Sequence, residues 1–432
     1  MHGPLKSVAL LNNYVLLGLP NPHLFFPAAL IWTVIIAMAL WYAVARDMGP
    51  ALSLCGLVGY PYPPADAPAA AVAVESARDI WLYQYMIMFG VVFCAGVAWL
   101  LPHRWFWWSV AGSALIVFLL WFQVQLDVMI NGWFGTFYNM VQQALGKPGS
   151  VTLEAFFGQL WTFGWIAMVY ITTAVLTAFF TSHYVFRWRT AMNEFYVEHW
   201  QRLRHIEGAS QRVQDDTQRF ADTVEGLGSS LVQALMTLIA FLPILWGLSS
   251  YVKELPVVGP VPQALVFVAV IWAALGTGAL AAAGIRLPGL TFRNQRVEAA
   301  YRKELVLGED DARRAEPPTL RSLFADVRAN YFRLYANYLY FNVVRYGYLQ
   351  AGVLIPYIAL APTIVAGGLT LGVMTQTTRA FGRVEESFQF LVRSWTTIVS
   401  LLSIYKRLRA FEATLADEPL DKIEAEPIRQ GA

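Results

Sequence analysis

Seven stretches of this sequence are apolar over about twenty residues or more, the length a helix needs to cross the hydrocarbon layer of a bilayer. They are residues 24–45, 80–101, 106–130, 157–184, 227–250, 263–290 and 346–371. Lipid offers no partner to backbone N–H and C=O groups, so such runs must satisfy themselves as helices. An eighth stretch, 374–405, is more polar and holds Arg379, Arg383, Glu385, Glu386 and Arg393. A lipid-facing charge costs about 3 kcal/mol or more, so this helix is predicted to face a protein interior or a wet cavity. The expected fold class is therefore all-α, a polytopic membrane protein with about eight transmembrane helices. Composition agrees: 57% hydrophobic and 14% charged residues exclude an ordinary soluble domain. Sixteen tryptophans suit a chain with many membrane–water interfaces to anchor.

The basic residues predict the orientation. Arg187, Arg189, Arg202, Arg204, Arg212 and Arg219 lie between the fourth and fifth spans, and ten further basic residues from Arg293 to Arg345 between the sixth and seventh. The connections of the other parity hold little beyond Arg46, Arg78, Lys147 and Lys253. The positive-inside rule then puts both termini in the cytoplasm, which requires an even number of spans. The two arginine-rich stretches, 185–226 and 291–345, are expected to continue the membrane helices into the cytosol, with Gly208, Gly226 and Gly308 as candidate breaks. Residues 131–154, rich in aromatics, are expected to form a short helix lying on the outer interface. The first residues resemble a signal peptide, but Asn12 and Asn13 interrupt the apolar run and no A-x-A site follows.

The sequence contains no GxxxxGK[ST], HExxH, GxSxG or CxxC. Enzymatic chemistry, a metal and a cofactor are accordingly not expected. Cys55 and Cys94 supply no disulfide framework.

One polar segment stands out, IEGASQRVQDDTQRF, residues 206–220. At 3.6 residues per turn, Glu207, Gln211, Gln214, Gln218, Asp222 and Glu225 share one stripe, and Ala209, Val213, Phe220, Val224 and Leu227 the other. Glu207 and Glu225 are about 27 Å apart along such a helix. In RNQRVEAAYRKELVLGEDDARR, Glu298 and Glu309 are again nearly in phase. A solvated face laced with ion pairs would show the same pattern, as would a cavity wall, and periodicity leaves both open.

Four blocks carry a resemblance: RWRTAMNEFYVEHWQRLRHIEGASQRVQDDTQRF, RLPGLTFRNQRVEAAYRKELVLGEDDARR, NYFRLYANYLYFNVVRYGYLQ and SWTTIVSLLSIYKRLRAFE. They resemble the SbmA/BacA family of bacterial inner-membrane peptide transporters, from about residue 25 to about residue 411. GASQRVQDDTQRF and GGLTLGVMTQTTRAFGRVEESFQFLVRSW also resemble the membrane core of peroxisomal-type ABC half-transporters. The resemblance implies an ABC-exporter-like transmembrane domain without a nucleotide-binding domain, working as a homodimer in the bacterial inner membrane. It divides the chain into an extension (1–22), N-terminal membrane helices including two beyond the exporter core (23–130), the core with its cytoplasmic extensions (131–415) and a tail (416–432).

It implies proton-driven import of peptides and peptide-like antibiotics, cationic and proline-rich ones included, through an alternating-access cavity lined by acidic residues. The matching positions are Asp215, Glu225, Glu298, Glu309 and Asp310, with Asp215 standing where the family pattern has a glutamate. Glu207 joins them on helical phase. Gln211, Gln214 and Gln218 are the expected peptide-contacting face, since amides bond any backbone without reading its sequence. The implied partners are a second copy, peptide, protons and lipid, not nucleic acid. Three alternatives remain: a membrane subunit powered by a separate ATPase, a passive channel and an envelope-modifying enzyme.

Overall fold

The computed structural model describes residues 31–32, 37–54, 77–100, 106–206, 209–252, 254–256, 259–311 and 313–413. The principal helices are α1 (Ala77–Leu100), α2 (Gly112–Gly146), α3 (Leu153–Glu198), α4 (Thr217–Leu248), α5 (Ala264–Gly284), α6 (Leu287–Asp310), α7 (Pro317–Val365), α8 (Leu371–Phe388) and α9 (Trp395–Ala413). Among the described residues the only β pairing is an isolated bridge between Leu255 and Gly259. The chain is an all-α, multi-pass membrane protein.

Six helical stretches among the described residues are long and apolar enough to cross a bilayer: 80–100, 107–146, 153–198, 209–251, 264–291 and 317–365. They coincide with six of the expected spans. Half of the first expected span, 24–45, falls outside the described residues, with Ala37–Ala43 helical. The eighth is helical but broken, α8 and α9 being separated by a short helix at Phe390–Arg393. Its charges make it less apolar than the other six. At 1.5 Å per residue, α3 and α7, with 46 and 49 residues, run about 69 and 74 Å, against a hydrocarbon layer of about 30 Å. The expected continuation of membrane helices beyond the bilayer is thus present. Gly226 and Gly308 break nothing, since they lie inside α4 and α6, and Gly208 lies outside the described residues.

Residues 131–154 differ from expectation. They do not begin a separate interfacial helix, because α2 runs unbroken to Gly146. The reason is local: Gly132 and Gly135 are tolerated singly, and no stop signal occurs before GKPG, where Gly149 takes φ +82°. The last turns of α2 have a further task. Asn139 Oδ1 accepts the Gly372 N–H at 3.0 Å and Gln142 Oε1 the Leu371 N–H at 2.6 Å, while Thr370 Oγ1 accepts from Val373 at 3.3 Å. Donors at the start of α8 that have no partner inside the helix are thereby capped by side chains.

The chain divides into two compact units. The first comprises 1–133, 153–236 and 400–432, and the second 134–152 and 237–399. In the first, a core of Trp188, Met192, Tyr196, Leu203, Phe220 and Leu408, with neighbouring side chains, ties α3, the start of α4 and α9 together.

In the second unit, α7 packs antiparallel along α5 and α6. Asn330 Nδ2 donates to Asn294 Oδ1 at 3.0 Å. Further along, the Phe341 and Tyr348 rings lie over Gly284 and Gly276. A Cβ on Gly276 would overlap the Tyr348 ring, whereas one on Gly278 would meet nothing. Gly276→Ala is therefore expected to destabilise by about 1–3 kcal/mol through overpacking. Gly278→Ala should be neutral or slightly stabilising, and comparing the two thermal midpoints in mild detergent checks this.

Candidate functional site

The polar segment singled out in the sequence is helical from Ala209 and contains one π turn, Arg212–Asp216. Such turns leave the i→i−4 ladder locally incomplete and recur at functional sites. Arg189 Nη2 donates to the Gln214 carbonyl at 3.2 Å. Gln211, Gln214, Gln218 and Asp222 are exposed, while Ala209 and Phe220 are buried, so the expected two-faced helix is present. Asp215 is on the exposed side. Glu207 lies outside the described residues.

Six residues further along this helical segment than Arg219, Glu225 is half-buried in the wall of a cavity of about 290 Å³. The lining residues all belong to the first unit, most of them on α1, α2, α3 and α4, and are almost wholly apolar, with Phe89, Phe93, Trp121 and Trp188 among the rings. Its few polar groups are clustered. Ser229 Oγ donates to Glu225 Oε1 at 2.6 Å, and Ser113 Oγ and the Tyr184 hydroxyl share a hydrogen bond of 2.8 Å. A carboxylate in such a wall has one hydroxyl donor beside it and no cation bonded to it among the described residues.

The remaining predicted carboxylates belong to the second unit. Glu298 is half-buried on α6, Glu309 is exposed near its end, and Asp310 is its last residue. Glu304, on the same helix, is structural. It pairs with Arg314 at 3.1 Å and accepts the Ala315 N–H at 3.2 Å, closing the turn after α6.

Two polar features escaped the sequence reading. Asp216 is 3% exposed and receives both arms of Arg407, Nε to Oδ2 at 3.1 Å and Nη2 to Oδ1 at 2.8 Å. Its helical phase carried the signal, since Asp216 falls with Ala209 and Phe220 on the packed stripe, where a charge requires a partner. The second is a buried row on α2, Gln123, Asp127 and Asn131, four residues apart inside a run counted as apolar. Gln123 Nε2 donates to Thr177 Oγ1 on α3 at 3.4 Å.

Comparison with known proteins agrees with this architecture. A 24% identical relative over 344 residues is an uncharacterised ABC transporter ATP-binding protein of Synechocystis, covering 75% of this chain and 49% of the relative. Another so described, from Haemophilus influenzae, is 24% identical over 330 residues, 71% of this chain and 54% of its own. ABC transporter D family member 2, chloroplastic, of Arabidopsis thaliana is 24% identical over 259 residues, covering 55% and 35%. The chain thus spans between about a third and about half the length of these relatives. The family model for SbmA/BacA-like proteins matches residues 102–416, from the residues just before α2 to just beyond α9. With the match taking in residues of both compact units and every principal helix but α1, the chain belongs to the SbmA/BacA-like family.

Proposed function

We propose that this protein imports peptides and peptide-like antibiotics across the bacterial inner membrane, driven by the proton gradient, as a homodimer with an alternating-access cavity. The observation that carries this reading is the Glu225 carboxylate in the wall of an apolar cavity between membrane helices, in a chain of this family. A carboxylate there takes a proton from the acidic outer side and releases it inside. Binding a proton in one state and not the other biases the equilibrium between them, which is what coupling requires. The exposed amides of Gln211, Gln214 and Gln218 suit a carrier of varied peptides, because they bond any backbone. Acidic residues at Asp215, Glu298, Glu309 and Asp310 would concentrate cationic peptides by long-range attraction.

Purified protein in proteoliposomes, given an acidic exterior and no nucleotide, is expected to accumulate a labelled proline-rich cationic peptide. Collapse of the gradient should stop accumulation. A second reading has its own support, since the relatives are described as ABC transporter ATP-binding proteins. On that reading the chain is the membrane subunit for a separate ATPase, and uptake would need ATP and a co-purified partner instead of a gradient.

The reading also places both termini and the two arginine-rich stretches in the cytoplasm. Single cysteines at Ala67 and Arg313 are expected to label from opposite sides of the membrane in intact cells. Labelling from the same side would overturn this orientation.

A further inference from the structure

Glu385 stands on α8, in the polar eighth stretch of the sequence, and its surroundings differ from those of the other carboxylates. Its Oε1 accepts the indole N–H of Trp272 at 3.0 Å and an amide N–H of Gln389 at 2.8 Å. Trp272 lies near the middle of α5 and Tyr348 within α7, both in stretches long and apolar enough to cross a bilayer. The Trp272 and Tyr348 rings stack at 4.9 Å, and Gln389 Nε2 also donates to the Tyr348 hydroxyl at 2.7 Å.

The amide of Gln389 is held in one orientation by the third party in the chain. Arg393 donates to its Oε1 from Nε at 3.2 Å and from Nη2 at 2.9 Å, which turns the NH₂ toward Glu385. A Cβ on Gly352 would stand 2.9 Å from Glu385 Oε1, so α7 approaches α8 closely at this level. Gln389 is itself 2% exposed.

Other charged groups stand on the same helix. Arg383 pairs with Glu386 at 3.7 Å, and Arg379 lies over the Phe134 ring at 4.0 Å. Among the described residues α5 presents only the uncharged indole and α7 only the Tyr348 phenol to this carboxylate. Every group bonded to Oε1 is thus a neutral donor, and Arg393 acts one residue removed.

This matters for what the site can do. Asp216 is tied by two charge-assisted bonds to Arg407, and protonating it would break an ion pair. Glu385 has no ion pair to break. A proton can be added at Oε2 while Oε1 keeps both donors, and an intramembrane acid of this kind is by default a functional group.

We propose that Glu385 is a proton-binding site inside the membrane, whose charge state controls how tightly α8 is held to α5 and α7. Ionised, it draws the Trp272 and Gln389 donors onto Oε1; on taking a proton from the acidic side it weakens both bonds, and it loses that proton to the cytoplasm when α8 reseats. The transport consequence rests on the proton-driven reading above, whereas the protonation itself does not.

Two measurements separate them. In the wild-type protein, infrared difference spectra on acidifying from about pH 8 to about pH 5 should show a protonated-carboxyl C=O band that is absent in Glu385→Gln. The indole N–H resonance of Trp272, identified by its loss in Trp272→Phe, should shift over the same range. An invariant Trp272 resonance overturns the proposal even if Glu385→Gln fails to fold, as does a carbonyl band unchanged in that variant. In proteoliposomes Glu385→Gln should lose roughly ten-fold or more of gradient-driven accumulation and keep peptide exchange at equal pH. Wild-type rates of accumulation in that variant would overturn the coupling role. Failure of the wild type itself to accumulate peptide would sink the importer reading and leave the titration result standing.

Discussion

Glu225→Gln is expected to abolish gradient-driven peptide accumulation, by roughly ten-fold or more, while leaving the protein folded and dimeric by native mass in mild detergent. The substitution is nearly isosteric. Its amide oxygen can still accept the Ser229 hydroxyl that now lies 2.6 Å from Oε1, so the wall of the cavity should survive. What disappears is the ability to exist in two charge states. A permanently neutral side chain shifts no population when the outer pH falls, however well peptide binds. Glu298→Gln and Glu309→Gln should lower accumulation in the same assay. Arg313→Gln should be mild, because Arg313 is exposed beyond the end of α6. Wild-type transport by all three glutamine variants would show these glutamates to be ordinary surface charges.

The second large effect concerns the Asp216–Arg407 pair, and it should be asymmetric. Asp216 has a side chain 4% exposed and Arg407 one 39% exposed. Arg407→Gln leaves a carboxylate buried without its cation, an arrangement that costs about 3 kcal/mol or more. Asp216→Asn leaves a guanidinium with access to water, and its cost should be nearer about 1 kcal/mol. The double variant should recover much of the Arg407→Gln loss, because two neutral amides can bond across the same gap. Thermal midpoints of the four proteins form the cycle, and equal losses for the two single variants would contradict the burial argument. The pair joins the π turn of the polar segment to α9, so loss of activity is expected to accompany the loss of stability in Arg407→Gln.

Much of the architecture could be read directly because a bilayer imposes one rule at every position. Runs such as 80–101 and 263–290 had to be helical, and apolar content alone located them. The two faces of the helix from Ala209 onward were equally accessible, since a polar stripe and a packed stripe differ in residue type at every turn. The continuation of α2 to Gly146 was open to the same reasoning, had weight been given to the missing stop signal between Ile130 and Lys147.

Partnerships between distant segments were not accessible in that way. Arg407 and Asp216 are separated by 191 positions, and Trp272 and Glu385 by 113. Helical phase says that Asp216 and Glu385 cannot face lipid, but it does not say which donor meets them. Whether a carboxylate meets a guanidinium, as Asp216 does, or neutral N–H groups, as Glu385 does, depends on which helices lie side by side and in what register. Local periodicity therefore determined that these helices exist and which sides are polar, whereas tertiary packing decided which of their acids are locked in ion pairs and which remain able to take up a proton.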